Sequence, residues 1–161
     1  MFADSPEKER FAAELGRVYR SWRTLVDTQL RPLGMTQARW MALLYIARGG
    51  SGMLQKDLAE RMGIEGPTLV KLLDALEAAG LVARTEAEGD RRGKTLALTP
   101  AAAPIVGEIE RVVAGSRQRL LGDVSDADIA SCIRVFETIR DNIAAYDHAR
   151  ERAGRDAAGE D

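Results

Sequence analysis

Residues able to carry covalent or metal chemistry are scarce in this chain. Its 161 residues include one histidine, His148, and one cysteine, Cys132. A Ser-His-Asp site would have to recruit His148, which stands near the end of the chain among charged residues. Thiolate and imidazole cages cannot be assembled from single copies, and a disulfide within one chain is impossible. The sequence offers no clustered nucleophile and base and no phosphate-cradling loop. The expectation is a protein that is not an enzyme and uses neither cofactor nor metal. Cys132 falls in an apolar stripe and reads as a small buried hydrophobe, not as an oxidation sensor. His148 reads as a solvated residue at a helix end.

Residues suited to recognition are better represented. Asp90-Arg91-Arg92-Gly93-Lys94 puts two guanidinium groups and an ammonium on one short stretch. That chemistry clamps phosphates or enters a minor groove. The commoner fate of such a pair is a solvated turn, and Asp90 can hold one of the two arginines by a charge-assisted hydrogen bond. A second group is Pro67, Thr68 and Lys71, small or short side chains around a single cation. The two groups together argue for nucleic acid more strongly than either alone.

Net charge does not announce such a partner, because 23 Lys and Arg face 25 Asp and Glu. The acidic excess sits in residues 141–161, with six acids and three arginines, leaving 20 basic against 19 acidic elsewhere. No stretch approaches the ~20 apolar residues of a membrane span. Met1-Phe2-Ala3-Asp4-Ser5-Pro6-Glu7 lacks the features of a signal peptide. A soluble, cytoplasmic protein without a membrane partner is expected.

The elements that would position these residues follow from periodicity. Residues 7–31 carry Phe11, Leu15, Val18, Trp22, Leu25 and Val26 at helical steps, with Ser5-Pro6 as the start signal and Pro32 as the stop. Thr36 is expected to cap a helix through Trp40, Leu43, Leu44 and Ile46, ending at Gly49-Gly50. Leu54–Met62 predicts a short helix closed by Gly63, and Pro67 opens another, closed by Gly80. On that helix Leu69, Leu72, Leu73 and Leu76 make the core face, while Pro67, Thr68, Lys71 and Ala75 gather opposite, with Asp74 beside them. Such a face suits a major groove, although an ordinary solvated face is the plainer alternative.

The period then changes. Leu81–Thr85 and Thr95–Leu98 read as short strands joined by a long charged tip. Thr99-Pro100 starts a helix bearing Ile105, Ile109, Val112 and Val113. Ser125 and Asp128 open a last helix in capping-box style, with Ile129, Cys132, Ile133, Phe136, Ile139, Ile143 and Tyr146 as its stripe. The order predicts a mainly α (α+β) fold, a winged helix-turn-helix with long N- and C-terminal dimerisation helices. The expected divisions are an N-terminal dimerisation helix at 1–35, a DNA-binding unit at 36–99, C-terminal dimerisation helices at 100–150 and a disordered tail at 151–161. The outer apolar stripes exceed what the small central unit can cover, so a second subunit is expected.

The run from Leu58-Ala59-Glu60-Arg61-Met62-Gly63 through Pro67-Thr68-Leu69-Val70-Lys71, followed by Gly80-Leu81-Val82 and Asp90-Arg91-Arg92, resembles the MarR family of winged-helix regulators. Trp22-Arg23-Thr24-Leu25-Val26-Asp27 and Met35-Thr36-Gln37-Ala38-Arg39-Trp40 resemble its SlyA branch. The resemblance covers roughly residues 10–145. It implies a homodimer on a pseudo-palindromic operator of double-stranded DNA, with Gln55, Pro67, Thr68 and Lys71 on the helix-turn-helix and Arg91, Arg92 and Lys94 on the wing. Lys71 stands where close relatives commonly carry Arg, so it would meet a base as a point charge and not as a planar fork. The resemblance also implies a small aromatic carboxylate or phenol as ligand, with Arg23 as carboxylate partner and Trp40 as stacking wall. Trp40 as plain core and Arg23 paired with Asp27 at i,i+4 are the alternatives. Ala38, Leu44 and Leu72 replace polar cleft residues of relatives, which leaves open a different ligand or none.

A competing function is a winged-helix protein-interaction adaptor without DNA binding. In its favour, residues 54–99 carry seven Lys and Arg against eight acids.

Overall fold

A computed structural model describes residues 5–50, 52–87 and 90–158, with the backbone alone at 87, 90–92, 151 and 153–158. Helix α1 (Pro6–Leu30) starts where Ser5 Oγ accepts from the Lys8 amide at 3.3 Å and Pro6 fills the first turn. Pro32 tightens the exit into a 3-10 turn over Arg31–Leu33, and Gly34 reverses the chain at φ +67°. Helix α2 (Gln37–Gly49) follows, with Thr36 in the capping position. Thr36 serves through its backbone carbonyl, which accepts from the Trp40 amide at 3.0 Å, and its hydroxyl makes no cap bond.

A two-residue strand β1 (Met53–Leu54) precedes α3 (Gln55–Met62), α4 (Gly66–Ala78) and the hairpin β2 (Val82–Ala87) and β3 (Asp90–Leu98). The sheet is antiparallel in the order β1-β3-β2. Two residues hold no alternation to recognise, so β1 exists through its pairing of Met53 with Leu96 and Leu54 with Thr95. The strands of the hairpin are longer than their apolar runs suggested. Asp90, Arg91, Arg92 and Gly93 belong to β3, where a long charged tip between two short strands was expected. Regular pairing runs from Val82 with Leu98 to Glu86 with Lys94, then shifts so that Ala87 faces Asp90. Backbone hydrogen bonding extends the ladder past the last apolar residue, which hydrophobic alternation cannot report.

The core is built from one face of each element. Leu30, Leu43, Leu58, Leu69, Leu73, Leu96 and Ile109 are fully buried, and each such side chain stabilises the fold by about 1.5–3 kcal/mol through burial. Helix α5 (Ala103–Leu121) contributes Val106, Ile109 and Val112 after a 3-10 turn at Pro100–Ala102.

The chain divides into two compact units, Met1–Arg119 and Leu120–Asp161. The second contains α6 (Asp126–Ala158), opened by the expected box: the Asp128 amide donates to Ser125 Oγ at 3.1 Å, and that hydroxyl donates to Asp128 Oδ2 at 2.6 Å. The helix continues to Ala158, where disorder was expected from residue 151 onwards. Loss of apolar period ends a buried face without ending a helix. Ala and Arg make up five of the eight residues 151–158 and propagate helix well. Ile133, Ile143 and Tyr146 are all more than half exposed. Cys132 is exposed as well, against the expectation of burial, because it belongs to this uncovered stripe. His148 is exposed, with Nδ1 2.6 Å from the Ala144 carbonyl.

Candidate nucleic-acid interface and adjoining cavity

The turn between α3 and α4 is set by Gly63, which adopts φ +63° so that its amide reaches the Glu60 carbonyl (3.1 Å) and the next amide reaches Ala59 (3.1 Å). Leu69, Leu73 and Leu76 then bolt α4 to the core. Pro67, Thr68 and Lys71 are exposed, as the wheel places them, whereas Ala75 is half-buried. Val70 joins the outer face at 38% exposure. The same wheel puts Val70 on that side, so its position was available from the sequence.

Arg84 on β2 is the residue the sequence did not flag. Its Nη2 donates to Asp74 Oδ1 at 2.6 Å and to Glu77 Oε2 at 2.5 Å, and its Nε donates to Glu77 Oε2 at 3.1 Å. The arginine thereby pins both acids of the outer half of α4 and ties helix to wing. The hydrogen bond from Arg84 is the main reason the Glu77 carboxyl lies below its ordinary value. The same bonds, Glu77 first and Asp74 second, raise the guanidinium of Arg84. The one signal for this role was alternation: Arg84 follows buried Val82 by two residues and shares its face.

Gln55 and Lys94 lie on a cleft of about 430 Å³ beside the start of α4, whose other lining includes Lys56, Gly66 and Gly93. Lys94 Nζ sits 3.6 Å from Glu86 Oε1, an exposed and weak pairing. Lys56, on the first turn of α3, was not foreseen. Two ammonium groups beside the amides that begin a helix form an arrangement suited to a phosphate. Arg91 and Arg92 sit on the β3 backbone, at the end of the hairpin where the register shifts, and their side chains lie outside the described residues.

A separate cavity of about 260 Å³ opens between α1, α2 and α5. Tyr19, Trp22, Arg23 and Val26 line it from α1, Gln37, Trp40 and Met41 from α2, and Val113 from α5. Arg23 and Trp40 thus line one cavity. Each also has the contacts of its alternative. Trp40 is 8% exposed and packs in the core, and Arg23 Nε stands 3.8 Å from Asp27 Oδ2. Ala38, Leu44 and Leu72 do not line the cavity: Ala38 is exposed, Leu44 is buried and Leu72 is half-buried against the core.

Among the described residues, no cluster of three or more His, Cys, Asp or Glu is placed to hold a metal, and no helix is long and apolar enough to cross a membrane.

The helix-turn-helix, the paired hairpin and the exposed Pro67, Thr68 and Lys71 of α4 define a winged-helix protein. The family model for the MarR family matches residues 33–93. The solved structure of the transcriptional regulator PA3341 is 39% identical, with TM-score 0.78, over 84% of this chain and 98% of that one. The chain belongs to the MarR family. Two more distant structures share the fold. One is CouR from Rhodococcus jostii RHA1 bound to p-coumaroyl-CoA, at 24% identity and TM-score 0.75, over 84% of this chain and 95% of that one. The other is a mutant MarR from E. coli complexed with operator DNA, at 22% identity and TM-score 0.70, over 83% and 95%.

Proposed function

We propose that this protein is a cytoplasmic, homodimeric regulator that reads a pseudo-palindromic operator with α4 and the β2–β3 wing, and that a small aromatic carboxylate or phenol modulates it. The observation that carries this reading is the Arg84 clamp. It gathers both acids of α4, Asp74 beside the outer face and Glu77 on its flank, into ion pairs. Pro67, Thr68 and Lys71 then form a small, singly charged surface suited to a major groove. Gln55, Lys56 and Lys94 fit backbone phosphates, and Arg91 and Arg92 serve the adjoining groove. The operator complex of the E. coli relative supports the same use of the fold.

Residues 1–35 and 100–150 act as dimerisation elements on this account, around a DNA-binding unit at 36–99. Exposed Leu15, Val18 and Tyr19 on α1, with Ile133, Ile143 and Tyr146 on α6, supply the apolar surface that a second copy would cover. The ligand would enter the cavity between α1 and α2, with Arg23 meeting its charged end and Trp40 its ring. A volume of about 260 Å³ lies below the ~300–1,000 Å³ typical of drug-sized ligands, which favours a single ring. CouR, which shares the fold, is bound to p-coumaroyl-CoA, a ligand that carries an aromatic ring. Because α2 lines the cavity and also packs in the core that supports α4, occupancy would be felt at the DNA surface.

Fluorescence anisotropy on labelled duplex from the protein's own upstream region tests the reading. Saturable binding that weakens linearly in log affinity with log salt is expected, together with an altered sequence preference in Lys71→Ala. Binding no tighter than to random duplex at low salt, with a stoichiometric protein recovered in its place, would instead favour the adaptor.

A further inference from the structure

Two residues that line the cavity between α1 and α2 have their polar ends on a residue that does not line it. Trp40 Nε1 donates to Asp27 Oδ1 at 2.8 Å. Arg23 Nε stands 3.8 Å from the other oxygen, Asp27 Oδ2. The first is a full hydrogen bond, and the second is too long to be one. Trp40 is 8% exposed, whereas the Asp27 side chain is 31% exposed. The indole therefore has its single donor satisfied from the wetter side, and the cavity meets only the apolar ring. No acid other than Asp27 pairs with Arg23 among the described residues.

We infer that Asp27 is the positioning residue of this cavity: one oxygen fixes the Trp40 ring as a wall, and the carboxylate charge competes with an entering anion for Arg23. The second half rests on the ligand reading proposed above. The first does not. A buried indole donor that loses its acceptor must find another or leave its site, so the ring plane depends on Asp27. The guanidinium, loosely paired at 3.8 Å, is available to an entering carboxylate without rupture of a short hydrogen bond. The same nearby charge repels that carboxylate. Asp27 thus sets how strongly the cavity prefers an anionic ligand over a neutral one of the same shape.

Two substitutions separate the roles. Asp27→Asn keeps an acceptor for the indole and removes the charge, while Asp27→Ala removes both. The first readout is hydrogen exchange at the Trp40 indole N–H, followed by NMR on the full chain. Trp22→Phe identifies the resonance, since Trp22 and Trp40 are the chain's two tryptophans. Slow exchange in the wild type and in Asp27→Asn, with exchange faster by roughly tenfold or more in Asp27→Ala, is expected when an acceptor gates opening. Equal exchange in all three overturns the positioning of Trp40.

The second readout is calorimetric affinity for benzoate and for benzamide, its neutral counterpart. Asp27→Asn should strengthen benzoate roughly two- to fivefold, the scale of a partly exposed charge pair, and leave benzamide unchanged. An unaltered benzoate-to-benzamide ratio overturns the competition for Arg23, and this arm still decides it if Asp27→Ala does not fold. Failure of benzoate to bind the wild type contradicts the proposed carboxylate ligand and with it the competition. The exchange arm then decides the positioning of Trp40.

Discussion

Lys71 and Arg84 are both cations near the outer side of α4, and their consequences differ. Lys71 is exposed and makes no ion pair among the described residues, so it is available to a base edge. Arg84 is spent on Asp74 and Glu77. Arg84→Met should leave two acids uncompensated beside DNA and weaken operator binding by roughly tenfold or more, measured by anisotropy, because unpaired like charge at an interface is repulsive. Lys71→Ala should shift base preference at one operator position, at a cost of about 1–3 kcal/mol in discrimination. Glu77 adds a pH signature. Its carboxyl ionises below the ordinary glutamate value of 4.5 in the folded chain, chiefly through the hydrogen bond from Arg84. The stabilisation is complete above that value and is lost as pH falls through the depressed one. Glu77→Gln should flatten the acid limb of a thermal-stability profile in that window while leaving neutral-pH folding cooperative. Lys71 was legible from the sequence because helical period alone places it. The role of Arg84 was not, since it depends on how β2 lies against α4, seven and ten residues away in the chain.

At the scale of the elements, the helix-turn-helix depends on one backbone angle. Gly63 has φ +63° and open space where a Cβ would stand, so a substitution there meets conformational cost without a clash. Gly63→Ala should lower the unfolding free energy by about 1 kcal/mol, and Gly63→Asn by less, as read from chemical denaturation. Start and stop signals such as Ser5-Pro6, Gly63 and the Ser125 box were legible because they act within a few residues. Strand β1, the full length of the hairpin and the extension of α6 to Ala158 were not. Their cause is pairing with a distant partner in the first two, and helix propagation without a buried face in the third.

At the scale of the whole molecule, apolar side chains are left on the surface of α1 and α6, which a monomer rarely tolerates over so long a stretch. Sedimentation should report twice the mass of one chain. The double substitution Ile133→Glu and Ile143→Glu should yield a monomer that no longer binds a two-half-site operator, since charge on a would-be buried interface is not offset by a partner. The net charge of −2 constrains none of this, because recognition as proposed would depend on where Lys71, Lys94, Arg91 and Arg92 stand and on the acids that Arg84 holds. Genome-wide footprinting of the tagged protein in its own cells tests that claim most directly, with the Lys71→Ala variant alongside. Discrete footprints with two symmetry-related half-sites, displaced or degraded by Lys71→Ala, are expected. Enrichment no greater than in an untagged control, or footprints that Lys71→Ala leaves unchanged in sequence, would contradict it.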